Sequence, residues 1–153
     1  MDVAEQLKDT WRINCRLNHA LLDGLNEEQL AAPLAKGKAV VGQFAHIHNV
    51  RRMWLRAVDP AVGDSLEKLE RGTHTREELK KALEASDAAM ANVISNGLAS
   101  GRVKNFKPHP VAFVGYMIAH EGNHRAQIEL AVRQAGIPLT PQQEFGLWEW
   151  GKF

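Results

Sequence analysis

The sequence predicts an all-α protein, a four-helix bundle, and three observations carry that expectation. Apolar residues recur at three- and four-residue steps over four long stretches. Capping residues, glycines and prolines separate those stretches, and almost no strand-like alternation of apolar and polar residues occurs. The chain has 153 residues and 44% hydrophobic content, which suits one domain over residues 1–153 with a substantial core and is short for two.

Each element can be justified in turn. The first helix is expected from Asp2 to about Leu22, with Val3, Leu7, Trp11, Asn14, Leu17 and Leu21 along its inner face and Gly24 as the stop. A loop with a short helical turn at NEEQL follows, broken by Pro33 and Gly37. The second long helix should run from about Ala39 to Val58, presenting Val40, Phe44, Ile47, Arg51, Trp54 or Leu55, and Val58 on one face. Asp59-Pro60 ends it, because a residue before proline is driven out of the helical region. A polar connector with a second helical turn at SLEKLE leads to Thr75, which with Glu78 three residues on forms a capping box. The third long helix then carries Leu79, Leu83, Met90, Val93 and Ile94 and ends among Gly97 to Gly101. Beyond FKPHP, the fourth spans about Pro110 to Ala135 and stops at Gly136-Ile137-Pro138. Trp148, Trp150 and Phe153 form an aromatic tail, expected to cap one end of the bundle or to pack on a neighbouring subunit.

Charge and composition narrow the function. Nineteen Lys and Arg against eighteen Asp and Glu are mixed along the chain, with a formal net charge of +1 and no polybasic run. Nucleic acid is therefore not an expected partner. The acidic start MDVAEQLKDTW does not read as a signal peptide, and no stretch approaches the roughly 20 apolar residues of a membrane span. The single cysteine, Cys15, cannot form an internal disulfide and reads as a small buried hydrophobe. A soluble, cytoplasmic protein acting on a small molecule is the expectation.

The chemistry sits on the fourth helix. Its inner stripe reads Phe113, Met117, His120, His124, Ile128 and Ala131, so two histidines stand where the period asks for apolar side chains facing the core. Residues four apart on a helix have Cβ atoms about 6 Å apart, close enough for both imidazoles to reach one ion. A catalytic zinc usually has three protein ligands and one open position, so a third ligand is needed. The second long helix offers His46 and His48 in AHIHNVRRMWL, of which His48 lies nearer the centre of the apolar arc.

The stretch HEGNH also matches the HExxH of zinc peptidases, where the glutamate serves as general base. Glu144 and Glu149 lie downstream as conceivable further ligands. The residues after His124 lack the Gly and His of the extended peptidase motif, however, and no strand is available to hold a peptide edge-on. Glu121 is turned about 100° from His120 on the helix, which suits a supporting or helix-pairing role better than that of a base.

Together these motifs resemble the DinB/YfiT-like superfamily, whose members are four-helix bundles with one histidine in the second helix and an HxxxH in the last. In HIHNVRRMWL, the resemblance selects His46, followed by Ile47, preceded by Phe44 and trailed by Trp54-Leu55. HEGNHRAQIELAVRQAGIP is similar to the last-helix pattern at His120, Glu121, His124, Arg125, Gln127, Ile128 and the Gly136 to Pro138 exit. Asn123 stands where an extra histidine is frequent and Ala126 where a glycine is, and neither removes a ligand. The expected site is a divalent ion on His46, His120 and His124, and zinc or nickel suits three imidazoles best. The resemblance implies metal-dependent transfer chemistry with a low-molecular-weight thiol as cosubstrate, and a metal-hydroxide hydrolase is chemically as open. A homodimer is expected, since bundles readily pair helix faces and the aromatic tail adds apolar surface. The competing expectation is a non-catalytic binding or stress-response protein with structural or vestigial histidines.

The remaining polar residues have ordinary roles to fill. His19, His74 and His109 read as surface histidines, and Asn14 and Asn18 as partners in hydrogen bonds between helices. Arg125 and Gln127 flank the histidines and are candidates to orient them. Arg51 and Arg52 either bind an anionic substrate or lay their stems along a helix face.

Overall fold

A computed structural model describes residues 2–153. Seven α-helices follow one another: α1 (Val3–Gly24), α2 (Glu27–Leu30), α3 (Val40–Val58), α4 (Pro60–Ser65), α5 (Arg76–Ser100), α6 (Pro110–Gln134) and α7 (Pro141–Gly146). A single 3-10 turn, Trp150–Lys152, closes the chain. The described residues contain no strand. None of their helices is long and apolar enough to cross a membrane.

The four long helices are the four the apolar periodicity marks out, and local chemistry sets their ends. The Asp2 side chain caps α1 by accepting from the Glu5 amide, and the Thr75–Glu78 capping box opens α5. His109, expected as a surface histidine, is the N-cap of α6 and accepts from the Ala112 amide through Nδ1. At the other end of α6, Gly136 takes the left-handed conformation (φ 77°), and the Ile137 amide returns to the Val132 carbonyl. The turn expected at SLEKLE lies earlier, at Pro60–Ser65. Asp59 caps that turn and Pro60 fills its first position, a stronger start signal than any within SLEKLE. α7 has the same origin, with a capping box from Thr140 and Gln143 and with Pro141 at its start.

α1 packs on α5 and α6, and α3 packs on the same two helices, so α1 and α3 sit diagonally across the bundle. Side-chain pairs fix the directions. Asn14 and Asn18 meet Glu121 while Arg125 meets Asn18, and His19 meets Asp87 while Asp23 meets Lys80. α1 and α6 therefore run one way and α3 and α5 the other, and a crossover joins the last two. His48 holds that crossover, since its Nε2–H donates to the Glu67 carbonyl at 2.8 Å, while Asn49 exchanges hydrogen bonds with Leu69.

The core has two apolar clusters. Around Leu21, Leu22, Phe44, Ile47, Leu79, Leu83, Ile128 and Val132 lies one, at the end where α2 and α7 close the bundle. The other gathers Trp11, Cys15, Leu55, Met90, Ile94, Phe113 and Met117. Among the buried groups are charged ones. Arg51 is fully buried and its Nε and Nη2 donate to the two oxygens of the equally buried Glu121, at 2.6 and 2.9 Å. Glu121 Oε2 also accepts from Asn14 and Asn18, each at 2.7 Å. Arg51 Nη1 reaches Asp87 and Ser86, and Asp87 in turn meets His19 Nε2 at 2.6 Å. Burial works against the Arg51 charge, but Glu121 and Asp87 outweigh it and hold the guanidinium protonated.

Arg51 is thus neither an anion-binding residue nor a surface stem, and His19 is tied into the network instead of standing free on the surface. Arg52 keeps the ordinary role, bonding the Leu66 carbonyl and facing Asp64. The aromatic tail does not cap the bundle with Trp148, which is 79% exposed, although Leu147 beside it packs against the first cluster.

Removing one partner of a buried ion pair leaves the other uncompensated, at a cost of about 3–5 kcal/mol. Urea denaturation of Arg51→Leu and of Glu121→Leu should show losses in that range, and the double variant should lose clearly less than their sum. Additive losses would mean that the two side chains do not act as a pair.

Candidate metal centre

Three imidazoles converge where α3 faces α6. The ligand nitrogens of His46, His120 and His124 all lie within 4.8 Å of one another, and the rings of His46 and His124 are 4.7 Å apart between centroids. His120 and His124 share one face of α6 because four residues nearly complete a turn. His46 and His48 are about 200° apart around α3, so only one of them can face α6. The structure puts His46 there and turns His48 to the crossover, although the apolar arc alone slightly favoured His48.

Gln43, one turn before His46, fixes the tautomer of His124. Its Nε2 donates to the Lys38 carbonyl at 2.9 Å, which leaves Oε1 to accept from His124 Nδ1–H at 2.6 Å. That tautomer aims the Nε2 lone pair of His124 into the cluster. His120 Nε2 lies 3.1 Å from it. His120 Nδ1 is buried without a hydrogen-bond partner among the described residues.

All three imidazoles are held toward the neutral form. Burial lowers the pKa of His46, and the charges of Lys38 and His120 add to it. Burial likewise lowers that of His120, where Glu121 opposes the shift while Arg51 and Lys38 reinforce it. His124 is displaced furthest, to about 4, by burial and by the proximity of His120, His46 and Lys38. Three imidazole nitrogens brought within 4.8 Å of one another are the donor set that a divalent transition ion takes. The donor set therefore fits a metal ion.

The glutamate of HEGNH is absent from this cluster. Its two oxygens accept four hydrogen bonds from Arg51, Asn14 and Asn18, so Glu121 anchors the helix and cannot serve as the base of a peptidase. Among the described residues, no carboxylate or thiol joins the three histidines as a fourth ligand. Cys15 is buried against the Arg51 guanidinium, and burial pushes its thiol well above the usual range, which disfavours the thiolate.

A model of the DinB family matches residues 1–148. The chain belongs to the DinB family. No curated protein and no solved structure matches it. In this DinB-family protein, Arg125 and Gln127 do not orient the histidines, since Arg125 donates to Asn18 and Gln127 is not a partner of the imidazoles. Gln43 does that work for His124 and Lys38 adds positive charge to the cluster, and neither stands out in sequence. The available signal for Gln43 was a polar residue one turn before His46 at the start of a helix.

The lowered imidazole values carry a stability consequence. Between about pH 6.5 and pH 4, the unfolded chain takes up a proton that folded His124 refuses. Stability is thus intact above pH 6.5, falls as the pH drops through that window and levels off below it. Thermal melts of metal-free protein should show Tm falling over the window, with a smaller fall in His124→Gln. An equal fall in both proteins would show that His124 is not held neutral by the fold.

Proposed function

We propose that this protein is a metal-dependent enzyme in which His46, His120 and His124 hold one divalent ion, zinc or nickel, and a low-molecular-weight thiol is the cosubstrate. The observation that carries this reading is the convergence of three neutral imidazoles from two helices, with Gln43 fixing the tautomer of His124. His46 and His120 are only half-buried, so the outer face of the cluster is accessible to small molecules. A three-ligand set with an accessible face supports catalysis over a purely structural ion, for which four protein ligands are usual.

The same arrangement favours thiol transfer over hydrolysis. A metal-activated water in a hydrolase commonly works beside a carboxylate base, and the one carboxylate next to the cluster in sequence is consumed by Arg51 and the two asparagines. A thiol needs no such base. A divalent ion held by the three histidines would lower the thiol's pKa, so that its proton passes to water and a thiolate faces the electrophile. The residues of this chain contribute neutral nitrogen donors, a fixed His124 orientation and the Lys38 charge nearby.

Elemental analysis of protein purified without a metal-binding tag tests the metal reading. The wild type and His48→Ala should hold close to one ion per chain, and His46→Ala and His124→Ala should lose it. Gln43→Leu should weaken metal affinity by roughly 10- to 100-fold, the usual cost of removing a partner that orients a ligand. A folded wild type that cannot be loaded with zinc or nickel would contradict the reading, as would loss of metal in His48→Ala alone.

A further inference from the structure

Past the histidines, α3, α6 and the loop before α6 bring four aromatic rings together. Tyr116 stands one turn before His120 on α6, its ring 6.3 Å from the His120 ring and inclined by 23°, so the two are nearly parallel. Trp54 meets the Tyr116 ring edge-on at 5.7 Å, and Phe106 meets it at 5.6 Å. Both are backed by the buried Phe113, at 5.5 and 5.0 Å. On α3, His46, Val50 and Trp54 follow at four-residue steps along one face. The lane from the histidines to Trp54 is therefore about 12 Å long, from eight residues at 1.5 Å each.

We propose that Tyr116 is a specificity-determining residue, and that the molecule taken at the three histidines carries a flat apolar group, aryl or benzylic, that lies against the Tyr116 ring. This rests on the metal reading above. Tyr116 is 41% exposed, and its hydroxyl makes no hydrogen bond among the described residues. The ring is thus neither sealed in the core nor fastened at its polar end, yet Trp54 and Phe106 hold it in place. An exposed ring that is already immobilised loses little freedom when a ligand stacks on it. The Tyr116 ring lies 6.3 Å from that of His120, so a flat group on Tyr116 would sit within reach of the cluster. Lys38, just before α3, adds positive charge to the cluster from the end of α3 opposite to Trp54.

Cobalt(II)-loaded protein, whose absorption responds to thiolate binding, tests the proposal with two thiols of similar acidity, benzyl mercaptan and 2-mercaptoethanol. Benzyl mercaptan should bind about tenfold more tightly to the wild type and to Tyr116→Phe, the scale of one good aromatic contact. Tyr116→Ala and Tyr116→Leu should lose most of that advantage and bind 2-mercaptoethanol as the wild type does. An undiminished preference in Tyr116→Ala would overturn the proposal, as would cobalt uptake with no response to benzyl mercaptan, and either result leaves the metal centre standing. Failure to take up cobalt in every variant would instead remove the metal reading and this one with it.

Discussion

The buried pair of Arg51 and Glu121 is the interaction on which the rest of the molecule depends. It sits where all four long helices meet: Glu121 comes from α6, Arg51 from α3, Asn14 and Asn18 from α1, and Ser86 and Asp87 from α5. Two charges in a core are costly unless every donor and acceptor is matched, which explains why so many polar residues gather at one level of an otherwise apolar bundle. Such a network tolerates little sliding of one helix along another. It therefore fixes the height of α6 relative to α3, and with it the height of His120 and His124 relative to His46.

The same turn of α6 separates structure from chemistry. Glu121 points inward and spends its lone pairs on the scaffold, while His120 beside it and His124 one turn later face α3 and join His46 in the cluster. A motif that reads as a peptidase signature in one dimension is divided in three, its glutamate turned away from its histidines. Burial and the neighbouring positive charges then hold the imidazoles toward the neutral form, which is the state a metal needs and which water-exposed histidines lose as the pH falls toward 6.

Much of this was legible in the sequence, and for physical reasons. Helix positions follow from apolar periodicity and caps, both local, so α1, α3, α5 and α6 and most of their ends were readable, whereas the turn placed at SLEKLE belonged to the Asp59-Pro60 start just before it. The histidines were readable because two polar groups at i and i+4 on an apolar stripe break the pattern together. The choice of His46 over His48 was not a matter of periodicity, since both lie near the apolar arc, and it came from the family resemblance. Arg51 was visible on the inner stripe but its partners were not. Pairing across 70 residues of sequence depends on how the helices stack, which no local pattern encodes. For the same reason the work expected of Arg125 and Gln127 fell to Gln43.

The central claim is that three imidazoles, held in register by the buried ion pair, bind one ion and leave part of its coordination shell to small molecules. X-ray absorption at the metal edge of the loaded protein addresses it most directly. The expected spectrum has three imidazole nitrogens at about 2.0–2.1 Å plus light-atom scattering that changes when a thiol is added. A shell filled by four protein ligands that ignores added thiol, or one without imidazole scattering, would contradict the account.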